Sequence, residues 1–319
     1  MRYYISILQK MKGEKKMEVN KDLKKPYGIC PAARTIWNAD ESYNKKGMEK
    51  YLTWLLDNGA QSLSIVGSTG ENMAMSEVEQ KEVLGHVASF IDGQVPLVGG
   101  TGKYDTHTTL DLSKYAESVG YDALLVLLPF YYTPHKKSVL QHYRNLRKEL
   151  SVQMYIYNNP WFAGYELNTP EVQSLIEDGT IQGIKAAHGD PNRVHDLKYY
   201  MGDKITVFYG HDYCGMEAYM GGADGWLSGL PAILPKQCRA IQDAVWSGSI
   251  EAARKAMNNV IPFVNYFLYD KENGVPHWLE ICNYTLTAQG LDVGLPRRPA
   301  GDLDDANKKK IEKLLADME

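Results

Sequence analysis

Apolar residues return along this chain in two alternating rhythms. Short unbroken apolar runs alternate with longer segments in which apolar side chains recur every three or four positions. The first rhythm predicts strands buried on both faces, and the second predicts amphipathic helices. Strands are expected at residues 27–33, 62–66, 95–99, 123–128, 153–157, 181–185, 205–209 and 223–227. Helices are expected between them. In 44–57, Met48, Tyr51, Leu52 and Leu55 share one face. Ser76, with Glu79 three residues on, has the register of a capping box. Further helical patterns cover 106–119, 138–150, 192–201, 213–220 and 234–246, and Thr169 is the expected cap of a helix that opens on Pro170.

Eight strand–helix alternations imply a parallel sheet with helical crossovers, and eight is the number that closes a (β/α)8 TIM barrel. A doubly wound open sheet is the alternative. It is disfavoured because no Gly-x-Gly-x-x-Gly follows the first strand. The barrel is expected over residues 26–247. Residues 248–319 read as a C-terminal helical extension, broken at Gly294–Pro299 by its prolines. Residues 1–25 are lysine-rich with little apolar periodicity, and read as a flexible extension or as a start placed ahead of Met17. The apolar run at 3–8 is too short for a signal core.

Composition narrows the function classes. The chain has 319 residues, of which 44% are hydrophobic, and a formal net charge of -4. Such a balance gives no reason to expect nucleic acid or an anionic membrane as a partner. No run of about 20 apolar residues is present to span a bilayer. Cys30, Cys214, Cys238 and Cys282 lie far apart with no Cys-x-x-Cys pair, so neither a zinc site nor a disulfide framework is expected. A cytoplasmic location is the default for such a chain.

In a barrel of this kind the chemistry lies at the C-terminal ends of the strands. Those ends carry Gly67-Ser68-Thr69-Gly70-Glu71, Pro129-Phe130-Tyr131-Tyr132, Tyr157-Asn158-Asn159-Pro160, Lys185, Gly210-His211-Asp212 and Trp226-Leu227-Ser228-Gly229. The set holds one lysine, several hydroxyls and an exposed-backbone turn, and no cluster of metal ligands. A buried ammonium is costly to desolvate, so the end of an apolar strand favours the neutral, nucleophilic amine of Lys185. Such an amine forms a Schiff base with a ketone. The alternative for Lys185 is a side chain that snorkels to solvent. Tyr157 is placed to move protons. The Ser68-Thr69-Gly70 turn has the makings of an anion nest for a carboxylate such as that of pyruvate. Taken singly, each residue also has a plain structural role. Tyr157, Tyr131 and Tyr132 could be packed aromatics, His211 a hydrogen-bonded structural histidine, and Trp226 a core residue.

Jointly, these ordered motifs resemble the pyruvate-dependent class I aldolases of the dihydrodipicolinate synthase and N-acetylneuraminate lyase family. The resemblance runs from about Tyr27 to the C-terminus. It also takes in Gly99-Gly100-Thr101-Gly102, Gly183-Ile184-Lys185, Gly221-Gly222-Ala223-Asp224-Gly225 and Gly-Leu-Pro-Arg-Arg-Pro at 294–299. It implies that Lys185 forms the imine and that Tyr157 transfers protons. It places Ser68 in a hydroxyl relay, Ser68 and Thr69 at the pyruvate carboxylate, and Tyr131 in a neighbouring subunit's relay. The implied assembly is a homotetramer, a dimer of dimers. No cofactor beyond the covalent imine is implied, and the partners are pyruvate and an aldehyde.

The departures bear on the aldehyde. Phe162 stands where dihydrodipicolinate synthase has an arginine for its aldehyde's carboxylate, and a phenyl ring cannot form that charge-assisted pair. Asp212-Tyr213 and Ala187 leave the sugar-binding set of N-acetylneuraminate lyase incomplete. Hydratase-aldolases of aromatic catabolism resemble the chain at Trp226, at Asn158-Asn159-Pro160 and at Asn283. An aromatic or apolar acceptor would suit Trp161, Phe162 and Trp226 at the entrance, with Gly70, Gly210 and His211 as further binding positions. The alternatives are dihydrodipicolinate synthase or N-acetylneuraminate lyase proper, a dehydratase or deaminase with the same imine chemistry, or a non-catalytic 2-oxo acid binding protein.

Overall fold

A computed structural model of the protein describes residues 17–269 and 277–318. Eight parallel strands form its centre: β1 Gly28–Pro31, β2 Leu63–Ile65, β3 Leu97–Gly100, β4 Ala123–Leu127, β5 Gln153–Asn158, β6 Gly183–Ala186, β7 Thr206–Tyr209 and β8 Gly225–Ser228. Each strand pairs with the next in the chain from β2 to β8, and β8 pairs with β1. A parallel bridge between Ala32 and Ser64 completes the ring. The fold is thus the (β/α)8 barrel that the alternating rhythm predicts, with helices returning the chain outside the ring.

The local signals that open the helices are mostly those expected. Ser76 caps Glu77–Ile91 and exchanges bonds with Glu79 in a capping box. At 169 the expectation is off by one residue. Asn168 is the cap, bonded to the Glu171 N–H, and Thr169 is already helical. Asn168 and Glu171 form a capping box of their own, and Pro170 sits early enough in the helix that its missing N–H costs nothing.

The core has two parts. Inside the ring, Cys30, Val98, Leu125, Tyr155, Phe208 and Leu227 pack together. Outside it, residues such as Ile156, Ile184, Ala186, Val207 and Trp226 face the helices. Side chains alternate across a strand. With Ile184 and Ala186 outward, Lys185 must point into the barrel. This parity is what brings the lysine side chain to the interior of the ring.

Beyond the barrel lie helices Ile250–Tyr269, Trp278–Ala288 and Asp305–Ala316. The first two carry Phe267, Tyr269 and Trp278 to the open end of the barrel. The Gly294–Pro299 segment is non-helical, as expected, and packs back on the start of the barrel. The Arg297 guanidinium stacks on Trp37 at 3.8 Å. Of the first 25 residues, 1–16 lie outside the described residues. Further on, the Lys24 N–H bonds Asp122 at 2.9 Å, and Lys25 pairs with Asp224 at 3.1 Å. Among the described residues, no helix is long and apolar enough to cross a membrane.

Candidate active site

A cavity of about 450 Å³ opens at the C-terminal ends of the strands. Lys185 lies at its base, 5% exposed. Strand register sets Lys185 beside Tyr157 on β5 and Phe208 on β7. The Lys185 Nζ lies 4.0 Å from the centre of the Tyr157 ring. Gly210 forms the opposite wall. A Cβ added there would lie 2.7 Å from Cγ of Lys185 and 2.9 Å from its Cε. The lysine is therefore confined between an aromatic face and bare backbone.

The phenol of Tyr157 has a partner that sequence reasoning missed. The Asn159 side-chain amide donates to its oxygen at 3.0 Å, leaving the phenolic hydrogen free to be donated. Asn159 also caps the short helix Pro160–Ala163, which holds it in place. Asn158 acts differently. Its side chain bonds both backbone groups of Leu167, at 2.9 and 3.0 Å, and ties down the loop between them.

Ser68 and Thr69 line the cavity across from these residues. Gly70 does not. Its added Cβ would meet the Ala33 carbonyl at 2.9 Å, so its lack of a side chain serves close backbone packing rather than substrate. Tyr131 lies outside this cavity. It is 84% exposed, holds a left-handed backbone (φ 72°), and its ring packs edge-on to Tyr132 at 4.8 Å.

The outer cavity is largely aromatic. Trp161, Phe162, Phe267, Tyr269 and Trp278 line it, and the rings of Phe162 and Trp278 are 5.9 Å apart. Trp278 was not singled out from sequence, because nothing local marks a tryptophan in the last third of the chain as facing the barrel mouth. Trp226, expected at the entrance, is fully buried between strand and helices. Its indole donates to the His211 carbonyl at 2.9 Å, and its ring lies against Gly215. In β8 it is Leu227 that points inward. Asn283 is likewise structural, bonded to Arg34 at 2.7 Å and to the Gly294 carbonyl at 3.0 Å.

His211 and Asp212 both reach the cavity. Burial pushes the His211 imidazole pKa down, against the pull of Asp212. Burial pushes the Asp212 carboxyl up, opposed first by His211 and then by the Leu230 N–H, 3.1 Å away. Asp212 is a further side chain whose burial was not legible in the sequence. Among the described residues, no group of three or more His, Cys, Asp or Glu side chains is placed to hold a metal ion.

A buried lysine at a barrel-strand end, with a phenol beside it and a polar turn opposite, defines an enzyme of the class I aldolase type, a lyase working through a lysine Schiff base. The Dihydrodipicolinate synthetase family matches residues 25–318, and the chain belongs to that family. The 4-hydroxy-tetrahydrodipicolinate synthase of Desulforamulus reducens is 30% identical over 285 residues, covering 89% of this chain and 93% of the relative. The chloride-inhibited dihydrodipicolinate synthase from Acinetobacter baumannii, solved with pyruvate, superposes with a TM-score of 0.84 at 26% identity. That match covers 92% of this chain and 99% of the other. CdNal from Clostridium difficile, solved with mannosamine, shares the fold at a TM-score of 0.86 and 20% identity, over 93% of this chain and 100% of that one.

Proposed function

We propose that this enzyme joins pyruvate to an aldehyde with an aromatic or apolar body, or cleaves the adduct, through an imine on Lys185. The observation that carries the reading is the confinement of the Lys185 amine against Tyr157 at the base of a cavity whose rim is aromatic. The neutral amine adds to the ketone carbon of pyruvate. Loss of water gives the iminium, and loss of a methyl proton gives the enamine that attacks the aldehyde carbon. Tyr157 carries protons in these steps, with Asn159 steadying the phenol oxygen. Ser68 and Thr69 hold the carboxylate through hydroxyl and backbone N–H groups. The neighbour solved with pyruvate supports pyruvate as the donor.

Among the described cavity-lining residues, the sole lysine or arginine is Lys185. Among those described residues, then, no further lysine or arginine offers a carboxylate a charge-assisted pair, which supports an acceptor without its own carboxylate. Phe162, at the position where the resemblance places an arginine, supports the same view. The exposed Tyr131, strained in its backbone, supports a role in the site of a neighbouring subunit and hence a homo-oligomer; the homotetramer is what the resemblance implies. Strain of this kind persists where surrounding contacts compensate for it. The four free cysteines support a cytoplasmic setting.

A second reading keeps the imine and eliminates water from the bound 2-oxo acid. Asp212 favours it, as a buried carboxyl whose raised pKa suits protonation of a leaving hydroxyl. The test of the imine is borohydride reduction in the presence of pyruvate, followed by peptide mapping. Label on Lys185 is expected. Label elsewhere, or none, would overturn the reading. Product analysis with benzaldehyde-type acceptors then separates bond formation from water loss.

A further inference from the structure

Behind the Ser68-Thr69 turn lies a buried charge cluster to which the imine chemistry gives no role. Arg34 is fully buried and Glu71 is 4% exposed. The two form an ion pair. Arg34 also donates to the Thr69 carbonyl and, at 2.7 Å, to the Asn283 side chain. Beside it, the Thr35 hydroxyl donates to the Gly70 carbonyl at 2.6 Å. Glu71 accepts from the Trp37 indole at 2.9 Å and from the Arg297 backbone N–H at 2.8 Å. Its own backbone is left-handed, with φ 62°.

Three successive residues of the turn are thus held from the side of β1 and the C-terminal segment. A buried ion pair is a poor device for stability alone, because desolvation offsets most of its attraction. Its location is the informative feature. Carbonyl and N–H point in opposite directions across a planar peptide. A Thr69 carbonyl fixed on Arg34 therefore directs the next N–H away from Arg34. Ser68 and Thr69 line the cavity, whereas Arg34 and Glu71 do not. The left-handed backbone at Glu71 is an unfavourable conformation for a residue with a side chain. The ties to Arg34, Trp37 and Arg297 hold it there.

We propose that Arg34, Thr35 and Glu71 are positioning residues for the substrate carboxylate. By holding the carbonyls of Thr69 and Gly70 and the left-handed backbone of Glu71 they fix the adjoining Ser68-Thr69 turn before substrate arrives, and they link it to the C-terminal helical layer through Asn283 and Arg297. The inference rests on the reading of Ser68 and Thr69 as the carboxylate site. A preformed nest spares the cost of ordering the loop on binding. The network therefore acts on pyruvate through its carboxylate and leaves the ketone chemistry of Lys185 alone.

The experiment compares the full-length enzyme with Thr35→Val and Glu71→Gln. Borohydride trapping is measured against pyruvate concentration, and again with methyl pyruvate, which keeps the ketone but lacks the anionic carboxylate. Melting temperatures establish folding. The half-saturating pyruvate concentration is expected to rise about tenfold, the weight of one well-aimed hydrogen bond. Trapping at saturation and trapping of methyl pyruvate should stay near wild type. Unchanged pyruvate saturation in folded variants would overturn the proposal, as would equal losses with both ketones. If Glu71→Gln does not fold, Thr35→Val decides, because it removes one hydroxyl at nearly constant shape. Absence of any pyruvate label on the wild-type enzyme would sink the imine reading and this proposal together. A wild-type label with indifferent variants would sink this proposal alone.

Discussion

The Lys185 amine rests on the face of the Tyr157 ring, 4.0 Å from its centre, and not against the phenol oxygen. The two residues are register partners across β5 and β6, so backbone pairing sets their distance. Ring and hydroxyl thus have separable tasks. On the proposed mechanism the ring confines the amine, and the hydroxyl, held by Asn159 at 3.0 Å, moves protons. Tyr157→Phe keeps the first and removes the second. Its turnover should fall by about 10²–10⁴, the usual weight of a positioned acid–base group. The fold should survive, since only one hydrogen bond of about 1 kcal/mol is lost. Turnover within a few fold of wild type, at an unchanged melting temperature, would remove the phenol from the mechanism.

Gly210 gives a sharper test of confinement. A methyl group there would stand 2.7 Å from one carbon of the Lys185 side chain and 2.9 Å from another. It would also stand 2.9 Å from Cβ of Ala187, which is fixed to the backbone. The lysine side chain must then move and β7 must shift slightly, carrying the amine out of place. An unchanged melting temperature establishes that the variant folds. Gly210→Ala should therefore fold but trap pyruvate slowly, by about 100-fold, as misplacements of an ångström in reacting groups do. Single-turnover labelling measures this directly. A variant that labels at the wild-type rate would show that the amine does not need the backbone wall.

The strands, their order and the lysine at the end of β6 were legible in the sequence because apolar runs mark buried parallel strands and glycines punctuate them. What an all-apolar strand conceals is which face each residue takes. Trp226 illustrates the difficulty. Lys185 and Phe208 are in register and point inward, so Tyr209 points outward, and its register partner Trp226 does too. That parity follows only once pairing is known. Trp278, Arg34 and Glu71 were hidden for another reason. Their partners lie far along the chain, as with Arg34 and Asn283, 249 residues apart. Nothing in local spacing announces such contacts. Asn159 was within reach, because a residue two positions from the tyrosine at a strand end lies on the same side.

The proposed reading gives the aromatic rim to the acceptor and the Ser68-Thr69 turn to pyruvate. Trp278 packs against Phe162 at 5.9 Å and lines the cavity with Trp161. Trp278→Ala should raise the KM for an aromatic aldehyde about tenfold, the scale of losing one aromatic contact with its buried area. Half-saturation by pyruvate should not change. A short polar aldehyde should be affected less than the aromatic one. If all aldehydes lose equally, the rim is shaping the site without selecting its occupant.

His142 governs stability rather than chemistry, and its sign can be worked out. It is buried between helices, bonded through Nδ1 to the Thr106 hydroxyl at 2.8 Å, with no partner for Nε2. Burial lowers its pKa to about 4, against the opposing field of Asp105. An unfolded histidine titrates near 6.5, so between these values the unfolded chain binds a proton that the folded chain refuses. The stabilising contribution is present above about 6.5 and is lost as pH falls through about 4, a change of about 3 kcal/mol for this one group. His188 is shifted the same way by burial and adds to it. Urea unfolding at pH 7 and pH 4.5 should show wild type losing more stability on acidification than His142→Gln. Parallel losses in the two proteins would show that His142 is not refused its proton in the fold.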